Sequence, residues 1–142
     1  MSRIQSKFHR SVFIAGLIIA MGLCAVVSVS AQGSFDGHDE VEVQEFTPND
    51  DGVVEIDFSN EGYQFLPTAV EVPVGSTIRI TYESSGRHDW RLDEFDAATQ
   101  VLGNGESETI EFTADSAGEY EFYCSVANHR SLGMWGRFIV TE

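Results

Sequence analysis

Beyond residue 52 the chain alternates apolar and polar positions in short runs, each closed by turn residues. Val54, Ile56 and Phe58 share one face of a run that ends at Asn60-Glu61-Gly62. Val70 and Val72 lead into Pro73-Val74-Gly75, and Ile78, Ile80 and Tyr82 follow that turn. Ile110 and Phe112 stand between polar or charged neighbours, Tyr120, Phe122 and Cys124 repeat the pattern, and Phe138-Ile139-Val140 completes it. Successive side chains of a strand point to opposite faces, so a period of two marks a strand with one face on a core. No stretch of this region sustains the 3.6-residue period of a helix. Short strands with frequent turns predict an all-β Greek-key sandwich. An immunoglobulin-type sandwich has a similar shape, but its usual pair of core cysteines is missing here.

The N-terminus is patterned differently. Arg3, Lys7 and Arg10 precede an apolar run from Val12 to Val29 that only Gly16, Gly22 and Ser28 interrupt, and Val29-Ser30-Ala31 follows as a small-residue exit. A basic start, an apolar middle and such an exit make residues 1–31 read as a secretory signal peptide. The run is also long enough to span a bilayer, so left uncleaved it would be an N-terminal membrane anchor. Basic residues ahead of the run keep them inside and the domain outside in either case. The expected location is therefore extracytoplasmic, in the periplasm or on the outer face of the membrane. Residues 32–51 are acidic, contain Gly33, Gly37 and Pro48, and read as a linker with room for one edge strand. Residues 52–142 form the domain.

Charge narrows the functions. The 142 residues carry 8 Lys+Arg against 23 Asp+Glu, a net charge of −15, and every acid lies after the apolar run. Past residue 31 there is no lysine, and Arg79, Arg87, Arg91, Arg130 and Arg137 are the only fixed cations. Nucleic acid is excluded as a partner, because its phosphates require a basic surface. The length excludes a two-domain enzyme. An acidic field steers basic partners toward the surface, and an acidic, lysine-free shell is equally an adaptation to high salt. Arg87, Arg91 and Arg130 lie close in sequence to the candidate site below, which predicts a less acidic end of the domain there.

Export leaves Cys124 as the domain's one cysteine, since Cys24 lies in the apolar run. An unpaired thiol outside the cytoplasm is either a buried, inert group or one committed to a metal. Its surroundings bear on the choice. Cys124, His129 and Met134 form a Cys-x4-His-x4-Met series before the last predicted strand, and His88 follows the Ile78–Tyr82 strand. Of the four histidines, His9 and His38 fall in the leader and the linker, so both histidines of the domain belong to this set. A single His, Met or Cys is usually surface, packing or inert thiol, and only their conjunction points to a metal. Two imidazoles and a thiolate in a trigonal set with a weak axial thioether define a blue-copper site. Zinc would use the Cys and His but gains little from Met.

The whole stretch from about Val53 to Glu142 resembles the blue copper proteins, or cupredoxins. Tyr63-Gln64-Phe65-Leu66-Pro67 with Val70-Glu71-Val72-Pro73-Val74-Gly75 is similar to the family's opening strands, and Gly118-Glu119-Tyr120-Glu121-Phe122-Tyr123-Cys124 to the strand that delivers the thiolate. The ligand-loop spacing is similar to that of auracyanin, rusticyanin and sulfocyanin. The resemblance implies one type 1 copper ion, with His88, Cys124 and His129 as equatorial ligands and Met134 as the axial one. Two positions depart from the family pattern: Ala127-Asn128 stands where many relatives have Pro-Gly, and Asp89 where many have Asn.

What the resemblance implies for function is a shuttle of single electrons by Cu(I)/Cu(II) cycling, not an enzyme. Its partners would be redox proteins such as a c-type cytochrome or a membrane oxidase or reductase. His129 would present its edge to solvent beside Leu132, Gly133, Met134 and Trp135, and Tyr123 would lie on a second route toward an acidic surface. The alternative is a periplasmic copper-binding protein for delivery or storage, which needs a more exchangeable site. A binuclear site would need a second loop cysteine, and a copper enzyme additional histidines; neither is present.

Overall fold

The computed structural model describes residues 41–142. The expected signal or anchor segment, with Cys24 and His9, and the first part of the expected linker, with His38, lie outside the described residues. Among the described residues the strands are β1 (Gln44–Glu45), β2 (Val53–Glu61), β3 (Gln64–Leu66), β4 (Ala69–Pro73), β5 (Thr77–Glu83), β6 (Arg91–Leu92), β7 (Ala97–Ala98), β8 (Ser107–Thr113), β9 (Gly118–Tyr123) and β10 (Trp135–Thr141). Short 3-10 turns stand at Asp93–Phe95 and Arg130–Leu132.

The strands form two sheets, as the alternation predicts. One has the order β1-β4-β10-β9-β6-β7 and the other β3-β2-β5-β8. β2 and β5 run parallel, as do β4 and β10, while β9 and β10 are antiparallel. Val54, Ile56, Phe58, Ile78, Ile80 and Tyr82 turn inward from the smaller sheet, and Val70, Val72, Phe122, Phe138 and Val140 from the larger. Each such side chain contributes about 1.5–3 kcal/mol by leaving water. At the centre Phe122 stacks on Trp90, with centroids 5.5 Å apart, and meets Phe58 and Phe65 edge-on.

Three local features differ from the alternation alone. β2 runs past Phe58 through the buried Asn60, a polar residue that the core accepts because its side chain is fully bonded. Tyr82 Oη and Ser85 N donate to its Oδ1 at 2.8 and 3.0 Å, and its Nδ2 donates to Gly62 O and Ser85 Oγ. Ile110 and Phe112 are only partly buried because β8 is an edge strand. In the expected linker, Gln44 and Glu45 pair in parallel with Val70 and Glu71, making the edge strand for which the linker has room.

Candidate metal centre

The parallel pairing of β2 and β5 brings their C-terminal ends to one edge of the sandwich. β5 there passes into the loop bearing His88, and β2 into the β2–β3 hairpin. β9 arrives at the same end with Cys124, and the chain returns through His129 and Met134 into β10. Strand order alone therefore gathers residues 36 to 46 positions apart in sequence.

The geometry is close. His88 Nδ1 and His129 Nδ1 are 3.1 Å apart, and Cys124 Sγ lies 3.5 Å from His129 Nδ1 and 3.9 Å from His88 Nδ1. A triangle with those sides has its centre about 2 Å from each corner, close to a metal–imidazole bond and slightly short of a metal–thiolate bond. The three donors therefore fit a single ion without rearrangement. Among the described residues they form the only such His/Cys/Asp/Glu group. His88 and Cys124 are buried and His129 is half-buried. Met134 is fully buried, and the loop closes on itself through backbone bonds from Cys124 N to Met134 O and from Met134 N to His129 O, both 3.0 Å.

Metal binding requires neutral imidazole and a thiol that gives up its proton, and the site favours only the first, at His88. Burial, reinforced by His129, holds His88 below its ordinary pKa, so its ring stays uncharged. Desolvation pushes the metal-free Cys124 thiol upward, and the charge of a bound cation is what would draw off its proton. The floor is stiff: Trp90 and Phe122, each two residues from a candidate ligand, stack in the core.

The two departures from the family pattern take definite form. Asp89 is buried and accepts from Ser125 N at 2.6 Å and from Ser125 Oγ, so a carboxylate ties the His88 loop to the Cys124 loop. Ala127 adopts φ 48°, the left-handed conformation that costs a non-glycine residue about 1 kcal/mol or more. Two further residues escaped the sequence reading. Gly86 is required by His88, because a methyl group there would stand 2.6 Å from its Nε2. Tyr63 lies against both imidazoles, with ring centroids 4.8 Å from His129 and 6.1 Å from His88. Gly86 carries no chemical signal in the sequence, and Tyr63 reaches the site only through the parallel β2–β5 register.

Of the four residues expected to supply apolar surface, Leu132 (50 %), Gly133 and Trp135 (41 %) are exposed, whereas Met134 is fully buried because its side chain packs into the core, and it contributes no surface. Of the arginines near the site, Arg91 pairs with Asp93 and Arg130 with Glu121, while Arg87 makes no ion pair among the described residues. Tyr123 donates to Asp93 at 2.7 Å and has the Arg130 guanidinium over its ring.

The chain matches the family described as the cupredoxin-like domain over residues 17–140, and it belongs to that family. It is 31% identical to the chloroplastic plastocyanin of Pisum sativum over 93 residues, which are 58% of this chain and 54% of the plastocyanin. It is 31% identical to plastocyanin B of Populus nigra over 87 residues, 54% of this chain and 51% of the relative. The chain thus spans about half the length of these curated relatives. Among solved structures it is similar to reduced auracyanin from Roseiflexus castenholzii, at 28% identity and a TM-score of 0.55, covering 62% of this chain and 97% of auracyanin. Auracyanin A from Chloroflexus aurantiacus, described as a "blue" copper protein, shares the fold at 22% identity and a TM-score of 0.57, over 63% of this chain and all of auracyanin A. The cofactor of this family that the donor set fits is one type 1 copper ion.

Proposed function

We propose that this protein is an exported electron carrier whose copper is held equatorially by His88, Cys124 and His129 and axially by Met134. Copper supplies a one-electron Cu(I)/Cu(II) couple when bound. The chain's own work is to hold three donors in a preformed triangle, with the Asp89–Ser125 tie and the Trp90–Phe122 floor limiting movement. Little then has to rearrange when one electron arrives or leaves. The partly exposed His129 is the exit, and Leu132 and Trp135 offer apolar surface to a redox partner such as a c-type cytochrome or a membrane oxidase or reductase. Residues 1–31 deliver or anchor the domain outside the cytoplasm, residues 32–51 link it, and residues 52–142 carry the site. No enzymatic step is assigned to it.

The observation that carries this reading is the convergence of two imidazole nitrogens and one thiol sulfur from two separate loops within bonding reach of one point. The test is a visible spectrum of the purified protein titrated with Cu(II) and then reduced. An intense sulfur-to-copper band at one equivalent, bleached on reduction and missing in Cys124→Ala, His88→Ala and His129→Ala, is expected. Absence of the band in the wild type would overturn the assignment. Loss of Cu(I) to a chelator faster than electron exchange with a cytochrome would favour delivery or storage instead.

A further inference from the structure

We infer that Tyr63 is a positioning residue that holds His129, and through it the candidate copper site, from outside the ligand loop. The inference rests on the ligand assignment above. Tyr63, His88 and His129 form a three-ring cluster, the two imidazoles themselves being 4.9 Å apart. Tyr63 is 45 % exposed, so core packing does not explain its placement. What sets its place is the hairpin. Glu61 pairs with Gln64, leaving Gly62 and Tyr63 as a two-residue turn, with Gly62 at φ 56°.

Asn60 fastens that turn to the ligand region. Its Nδ2 donates to Gly62 O at 3.0 Å, and Ser85, three residues before His88, both donates to it and accepts from it. The turn that carries Tyr63 and the His88 loop are therefore parts of one bonded unit.

The ligand loop needs outside support. Ala127-Asn128 lacks the stiffness of a Pro-Gly pair, Ala127 sits in a strained conformation, and His129 is half-buried. An aromatic ring against the imidazole supplies the missing restraint and keeps water from that side. Aromatic pairs of this kind are worth about 0.5–1.5 kcal/mol.

The experiment compares the wild type, Tyr63→Ala and Tyr63→Phe as full chains. After loading with Cu(II), loss of the visible band to excess EDTA is timed. Tyr63→Ala should lose copper about two- to tenfold faster, and Tyr63→Phe, which keeps the ring, should restore the wild-type rate. In the metal-free proteins, the His129 imidazole protons should carry a ring-current shift in the wild type and Tyr63→Phe that Tyr63→Ala lacks. Wild-type release from a normally folded Tyr63→Ala, or failure of Tyr63→Phe to rescue it, would overturn the inference. If the wild type takes up no copper, the ligand assignment falls, and unshifted imidazole protons would then overturn the Tyr63 contact itself.

Discussion

Replacing Gly86 by alanine separates the site from the fold. The backbone at Gly86 is outside the left-handed region, the residue is half-buried in a loop, and the three atoms nearest the added methyl all belong to the His88 ring, with Nε2 at 2.6 Å and Cδ2 at 2.9 Å. Ordinary contact begins at 3.4 Å, so the ring must retreat by about 0.8 Å. That is several times the ~0.2 Å tolerance of a metal–ligand distance. Losing a group that merely orients a metal ligand already costs about 10–100-fold in affinity, and moving the ligand itself should cost at least as much. The metal-free fold should scarcely respond, because Gly→Ala in a permitted conformation gains about 0.4–1 kcal/mol from the unfolded chain and offsets part of the crowding. Calorimetry of the metal-free variant should give a Tm within a few degrees of wild type. A copper titration followed by the visible band should show binding weakened by at least about 10- to 100-fold. Wild-type affinity in Gly86→Ala would refute the reasoning, and so would a collapsed metal-free fold.

Other outcomes follow from the same geometry. Gly136→Ala should damage the fold itself, because a methyl there strikes the Phe122 ring and the Thr68 carbonyl; a loss of about 3 kcal/mol or more is expected in urea unfolding. The bond from Tyr123, then the Arg91 guanidinium, holds Asp93 below its ordinary carboxylate pKa. Its stabilisation is therefore present above the ordinary value and lost as pH falls through the depressed one. Asp93→Asn should be weaker than wild type by a few tenths of a kcal/mol at neutral pH, a gap that closes in acid melts. Four of the five arginines past residue 31 are already ion-paired, so most carboxylates repel one another unrelieved. Raising salt from about 10 mM to 1 M shortens the screening length to about 3 Å, and Tm should climb; a flat or falling Tm would contradict this.

The long strands were legible because one face of each is apolar at every second position, as in Val54-Ile56-Phe58 and Ile78-Ile80-Tyr82. The donors His88, Cys124 and His129 were legible because their chemistry is unusual and two of them share one loop. The two-residue strands β6 and β7 were not, since a period needs more than two residues to appear. Asn60 was hidden for another reason: a polar residue reads as a strand end until its bonds to Tyr82 and Ser85 are seen. The Asp89–Ser125 tie and the Tyr63 contact depend on inter-strand register, which no local stretch of sequence records.

The placement of β10 has a consequence for the order in which the site comes into being. It is the last of the ten described strands in the chain, yet it lies inside its sheet, between β4 and β9, pairing with both. A chain synthesised from its N-terminus therefore presents β4 and β9 with a gap between them until residues Trp135–Thr141 arrive. Met134 enters with that strand, and its backbone bonds to Cys124 and His129 close the loop in the same event. A nascent or C-terminally truncated chain owns the thiol and both imidazoles but not the frame that holds them together. The frame that holds the thiol and both imidazoles within reach of one point thus forms only once Trp135–Thr141 has docked between β4 and β9.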